Sequence, residues 1–281
     1  MIVGFFAVVV ELRAPTPMIP LRLLGNSTTI WMIVASVGIG VGMFGSGVFL
    51  TQYFQLGTGA TPTQAGLMTI PMIIAQLLSA TIGGLIVSRI GRWKPVMLIG
   101  SILLLAGLTG LGTITHDTAY WTVAIYMVLM GVGIGALVQN VVLAVQNTVD
   151  VKDVGSASAA VAFFRSLGGA VGVTVLGAVL TNHVGSNIAD DLAEIGVDPS
   201  ALSGGSGETR LDITGLPDAI QTAFHHAYAD AFGSVFMIAA LVTATAVIAI
   251  AIAVARGSEL RSTIGMAPTA SAESPEDPKK S

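Results

Sequence analysis

Residues 66–115 read GLMTIPMIIAQLLSATIGGLIVSRIGRWKPVMLIGSILLLAGLTGLGTIT. No charged side chain falls in 66–88 or in 95–115; between these runs Arg89, Arg92 and Lys94 crowd into a turn that contains Gly91. About 20 apolar residues are needed for a helix to cross a hydrocarbon core of about 30 Å. Each run meets that length, and neither alternates polar and apolar residues as a barrel strand does. Lipid cannot satisfy a bare backbone, so both runs are expected to be helices that turn back on one another at a basic surface.

Four more stretches qualify on either side: 29–52, 120–146, 157–181 and 231–255. None of the six contains Asp, Glu or Lys, and Arg165 is their one charge. The 281-residue chain is 53% hydrophobic and 10% charged, with a mean hydropathy of +0.82. Soluble domains carry roughly a quarter charged residues, so most of this chain is expected to meet the lipid bilayer. The expected fold is all-α: a polytopic membrane protein of six spans. Without cysteine, disulfides, thiolate metal sites and cysteine nucleophiles are excluded.

The opening residues 1–10, MIVGFFAVVV, are too short to span. They lack a basic leader, and Glu11-Leu12-Arg13 stands where a cleavage site would need small residues. They are expected to end an earlier, truncated helix, followed by a linker over 11–28. Ten basic residues (Arg13, Arg22, Arg89, Arg92, Lys94, Lys152, Arg256, Arg261, Lys279, Lys280) fall on one side of the six spans, and Arg210 alone on the other. That asymmetry predicts a cell-membrane protein with both termini cytoplasmic. Residues 182–230 form an acidic outer segment with a flexible Ser203–Gly207 stretch, and Pro217 is expected to open a short amphipathic helix toward Ala231. The tail 256–281 reads as disordered.

Two readings of Gly84–Lys94 stand side by side. One is a plain positive-inside loop, with Trp93 at the interface. The other follows from the spacing Gly84-Leu85-Ile86-Val87-Ser88-Arg89-Ile90-Gly91-Arg92-Trp93-Lys94, which resembles the G-x-L-x-D-R-x-G-R-K signature of the major facilitator superfamily. Ser88 departs from its usual Asp. Phe49–Gln55, Ala65-Gly66-Leu67, Ile70-Pro71-Met72, Gly131-Val132-Gly133-Ile134-Gly135, Gln146-Asn147, Asp153–Ala159 and Phe164–Gly172 are similar to that superfamily's fourteen-helix drug:proton antiporter branch. The resemblance covers about 1–182 well and 225–255 loosely. It implies the C-terminal half of a multidrug efflux transporter, built from two inverted three-helix repeats. Residues 1–10 would close an extra helix between the halves. The partners it implies are a small hydrophobic or amphiphilic substrate, protons and an N-terminal transporter half that holds the proton-coupling acids. Gly84, Arg89, Gly91, Arg92 and Lys94 would form a cytoplasmic gating loop.

Several residues stand out on physical grounds. Gln76 lies near the middle of its span, where an amide needs a cavity or another helix. Gln139 and Gln146, like Asn140 and Asn147, are seven residues apart, so each pair shares a face. These amides either join helices or line a substrate cavity. Arg165 costs about 2.5–3.5 kcal/mol at mid-bilayer on insertion scales. Two turns from the cytoplasmic end, it serves gating or inter-domain contact, touches substrate, or snorkels. Gly131, Gly133 and Gly135, with Gly168, Gly169 and Gly172, read as close-packing faces. His225, His226 and Asp230 read as an exposed, solvated segment rather than a metal site.

No span carries an Asp or Glu, and no phosphate-binding loop is visible. Neither cofactor, metal, nucleic acid nor enzymatic chemistry is expected. Two rivals remain: a half-transporter acting as a homo- or hetero-dimer, and a non-transporting membrane protein or degraded gene product.

Overall fold

A computed structural model describes residues 27–91, 93–194 and 218–256, with side chains described over 27–91, 93–185 and 224–255. The expectations for 1–26, Arg92, 195–217 and 257–281 lie outside the described residues. Helices α1 (Ser27–Gln52), α2 (Pro62–Met68), α3 (Ile70–Ile90), α4 (Lys94–Leu111), α5 (Tyr120–Gln146), α6 (Val154–Glu194) and α7 (Asp218–Arg256) follow in order. Among the described residues six helical units are long and apolar enough to cross a membrane: Ser27–Gly57, Pro62–Ile90, Lys94–Leu111, Tyr120–Gln146, Val151–Gly185 and Phe224–Ala255.

Local chemistry sets the ends. After α1 a π-helical turn, Tyr53–Gly57, closes the span; the Phe54 carbonyl accepts from Ala60 N–H (2.9 Å) and Thr58 Oγ1 (2.7 Å). Thr61 caps α2 reciprocally with Gln64, and Pro62 takes the first turn, where a missing N–H costs nothing. Pro71 cannot donate to an i−4 carbonyl, and the span breaks at Thr69 between α2 and α3. α3 stops at Gly91, whose φ of 70° is left-handed and whose N–H returns to the Val87 carbonyl at 2.9 Å.

The helices pack in a swapped pattern. α1 lies against α6 and α7, while α5 lies against α3 and α4. Exchanging the first three spans with the last three therefore maps one set of contacts on the other. α4 and α7 meet across the exchange, as do α1 and α5.

Backbone proximity holds these contacts, because lipid is as apolar as the side chains and gives little drive for helix association. On α5, β-carbons at Gly131 and Gly135 would strike the Met72 and Gln76 carbonyls of α3, and one at Gly133 would sit 2.5 Å from the Leu104 nitrogen of α4. On α1 the alternation recurs: Gly38 and Gly42 face Ala246 and Thr243 of α7, and Gly40 faces the Arg165 carbonyl of α6. β-Carbons added at Gly168 and Gly172 of α6 would sit 2.5 Å from the Val37 carbonyl oxygen and 2.8 Å from Val41 Cγ2.

Two expectations need correction. The predicted outer segment 182–230 begins as helix, because α6 runs on to Glu194, while α7 starts at Asp218, directly after the Pro217 expected to open a helix there, and runs on unbroken to Arg256. Polar residues here end the apolar run without ending the helix. His225, His226 and Asp230 consequently sit on α7, half-buried and engaged. His225 Nδ1 donates to the Leu56 carbonyl (2.6 Å), and the His226 ring stacks on His116 at 4.0 Å. Asp230 Oδ1 accepts the His116 backbone N–H at 3.0 Å. Trp93, in the α3–α4 turn, is 3% exposed and packs into the apolar core.

Candidate functional site

One stretch of α5, residues 135–139, carries Gln139 and touches the helices that hold Gln76 and Arg165. Gly135 lies on the Gln76 backbone carbonyl, so α3 and α5 touch at that level. One turn on, Gln139 is exposed. Beside it, the Val138 carbonyl accepts a hydrogen bond from Arg165 Nη1 of α6 at 3.3 Å. α3 and α6 pack on α5 from different sides. Gln76 of α3 thus lies at the level of Gly135 through its backbone, and Arg165 of α6 reaches Val138 through its side chain. The Gln76 amide is half-buried and has no hydrogen-bond partner among the described residues. Arg165 is half-buried roughly 16 Å along α6 from Val154, at about 1.5 Å per residue. That is three turns, one more than the sequence spacing suggested. One of its five N–H donors is used among the described residues.

The other amides are placed differently. Gln146 Nε2 donates to Ser158 Oγ at 2.9 Å and ties the start of α6 to the end of α5. Asn140 is 1% exposed, and its Nδ2 donates to the Ala136 carbonyl at 2.6 Å within α5. Its Oδ1 is buried without a hydrogen-bond partner among the described residues. Residues 139 and 140 are about 100° apart around a helix, so the Gln pair and the Asn pair point to different surroundings. Replacing a poorly satisfied buried amide by an apolar group of similar shape is nearly neutral or favourable. Asn140→Leu is therefore expected to keep stability within about 1 kcal/mol of the parent or raise it. Denaturation in mixed micelles measures this, and a loss of several kcal/mol would show that Oδ1 has a partner after all.

At the end of the bundle that carries the α3–α4 turn, a β-carbon added at Gly84 would meet no atom within 4 Å, and Arg89 is exposed. Lys94 opens α4 and is half-buried. Ser88, at the departure from the signature, donates its hydroxyl to the Leu85 carbonyl (2.9 Å), a bond within its own helix. Thr29 and Thr148 share a hydrogen bond at 3.2 Å at the same end, joining α1 to the turn after α5.

The glycines of α1 are the residues that sequence reasoning missed. Gly38, Gly40 and Gly42 repeat the G-x-G-x-G spacing of Gly131, Gly133 and Gly135. That repetition was the available signal.

Comparisons with known proteins agree with this architecture. An uncharacterized MFS-type transporter of Mycobacterium tuberculosis is 32% identical over 240 residues, 85% of this chain and 34% of that protein. Multidrug transporter protein MdtP of Bacillus subtilis is 31% identical over 185 residues, 66% of this chain and 34% of that protein. The chain thus spans about a third of the length of these curated relatives. Among solved structures, a bacterial homolog of the human lysosomal transporter Spinster, inward-facing and occupied, is similar with a TM-score of 0.61 at 14% identity. That likeness covers 83% of this chain and 50% of the other. Residues 7–189 match the Major Facilitator Superfamily, and with well over half of its length inside that match the chain is a member of this transporter superfamily.

Proposed function

We propose that this chain is the C-terminal half of a multidrug exporter of the fourteen-helix drug:proton antiporter branch, working by alternating access with an N-terminal half. The observation that carries the reading is Arg165 of α6 reaching the Val138 carbonyl of α5 beside the exposed Gln139, one turn from the level where α5 touches the Gln76 backbone of α3. Gln139 and Gln76 contact a small hydrophobic or amphiphilic substrate, and Arg165 faces the partner half or the gate. The basic end is cytoplasmic, in the cell membrane, and the loop from Gly84 through Arg89, Gly91, Arg92 and Lys94 regulates closure there. The chain acts as a carrier rather than an enzyme, and the proton-accepting acids belong to the N-terminal half.

The test is proton-driven ethidium efflux in inside-out vesicles. The chain alone is expected to be inactive, and co-production with an N-terminal half from a relative is expected to give efflux that collapses with the proton gradient. Efflux by the chain alone, with a solubilised mass near twice 28.6 kDa, would favour a self-paired half-transporter instead.

A further inference from the structure

The swapped packing has one conspicuous gap. α6 and α7 pack along each other, yet their counterparts α3 and α4 barely touch, although only residues 91–93 separate them. The result is a cleft of about 550 Å³ with α5 as its floor. Its α3 wall is the row Ile74, Leu78, Ile82 and Ile86, each four residues on from the last. Ile99 of α4 stands opposite, and Val132 lies at the base. Ile74, Leu78, Ile82 and Ile99 are each more than half exposed. Ser79, the hydroxyl in the cleft, is occupied, donating to the Val132 carbonyl at 2.7 Å. No hydrogen-bonding demand remains inside, so the occupant's body is hydrocarbon.

Beyond the cleft, toward the α3–α4 turn, the surface is charged. Arg89 lies seven residues after Ile82, nearly the same face of α3, and is exposed. Across the turn, α4 presents its N-terminus, the positive pole of its helix dipole, with no side-chain cap at Trp93. A long apolar slot that ends in fixed positive charge matches one class of molecule in a bilayer. We infer that the α3–α4 cleft binds an anionic phospholipid, an acyl chain along the isoleucine row and the headgroup phosphate at Arg89. The inference is independent of whether the chain transports anything.

The experiment releases the 281-residue chain from nanodiscs of equal POPG and POPC into a native mass spectrometer and counts retained lipids. The parent chain is expected to retain POPG over POPC. Arg89→Gln should lower that ratio about fivefold, the factor one basic residue contributes beside an anionic surface, and Arg89→Lys should keep most of it. Ile99→Trp, which fills the slot from its exposed side and leaves the charge, should reduce both retained lipids. A parent chain without headgroup preference, or an Arg89→Gln ratio equal to the parent's, overturns the inference. If Arg89→Gln cannot be isolated folded, Ile99→Trp decides: unchanged POPG retention overturns it. Loss of the retained POPG when an N-terminal half is added would assign the cleft to that half and overturn it as well.

Discussion

Gly40→Ala and Gly135→Ala are expected to cost about 3 kcal/mol each, at the upper end of overpacking penalties, because the atom each new methyl meets is a backbone carbonyl that no rotamer change can move. At Gly40 the obstacle is the Arg165 carbonyl, and at Gly135 the Gln76 carbonyl. Relief requires α1 to part from α6, or α5 from α3, and the separation forfeits dispersion contacts along the whole crossing. Gly47→Ala is the matched control: it lies in the same helix as Gly40, with nothing within 4 Å of the added carbon. There the substitution should be neutral or stabilising by up to about 1 kcal/mol, through lower backbone entropy in the unfolded chain. Unfolding in mixed micelles with increasing SDS reads all three. Equal midpoints for Gly40→Ala and Gly47→Ala would remove backbone contact as the basis of the packing.

The second large effect is on transport. Arg165→Leu is expected to insert and fold normally, since it removes a charge from the middle of an apolar run, yet to lower export by roughly tenfold or more in the assembled transporter. That factor corresponds to losing one charge-assisted hydrogen bond, about 1.5–3 kcal/mol. Arg165→Lys should recover part of the loss: it retains the charge but not the planar fork. Dye efflux at matched expression measures the series. Unchanged efflux in Arg165→Leu would reduce the residue to a snorkelling cation with one bond to Val138.

The spans were legible because a charge-free run of membrane length admits one backbone solution. What was hidden follows from the limits of that signal. Apolarity ends where lipid ends, and α6 continues as helix through Asn182, His183 and the acidic residues to Glu194. A spacing of seven places Gln139 and Gln146 on one face, but it cannot say what that face meets. One amide is exposed and the other spends its N–H on Ser158. Asn140 shares the composition of a cavity residue but is enclosed between helices. Gly131 and Gly135 were readable as packing positions, whereas the same pattern at Gly38, Gly40 and Gly42 passed unnoticed inside a run rich in other small residues.

The swap has a consequence for biogenesis. Thr243 Oγ1 donates to the Gly38 carbonyl at 3.3 Å across 205 residues of chain. At the usual 5–20 residues per second, a ribosome takes roughly 10–40 s to travel that distance. α6 is made partway through that interval, but until α7 follows the groove of α1 at Gly38 has no permanent neighbour, and lipid or insertion machinery must occupy it. Packing of α1 and α4 against α7 is thus bound to wait until that helix has been made.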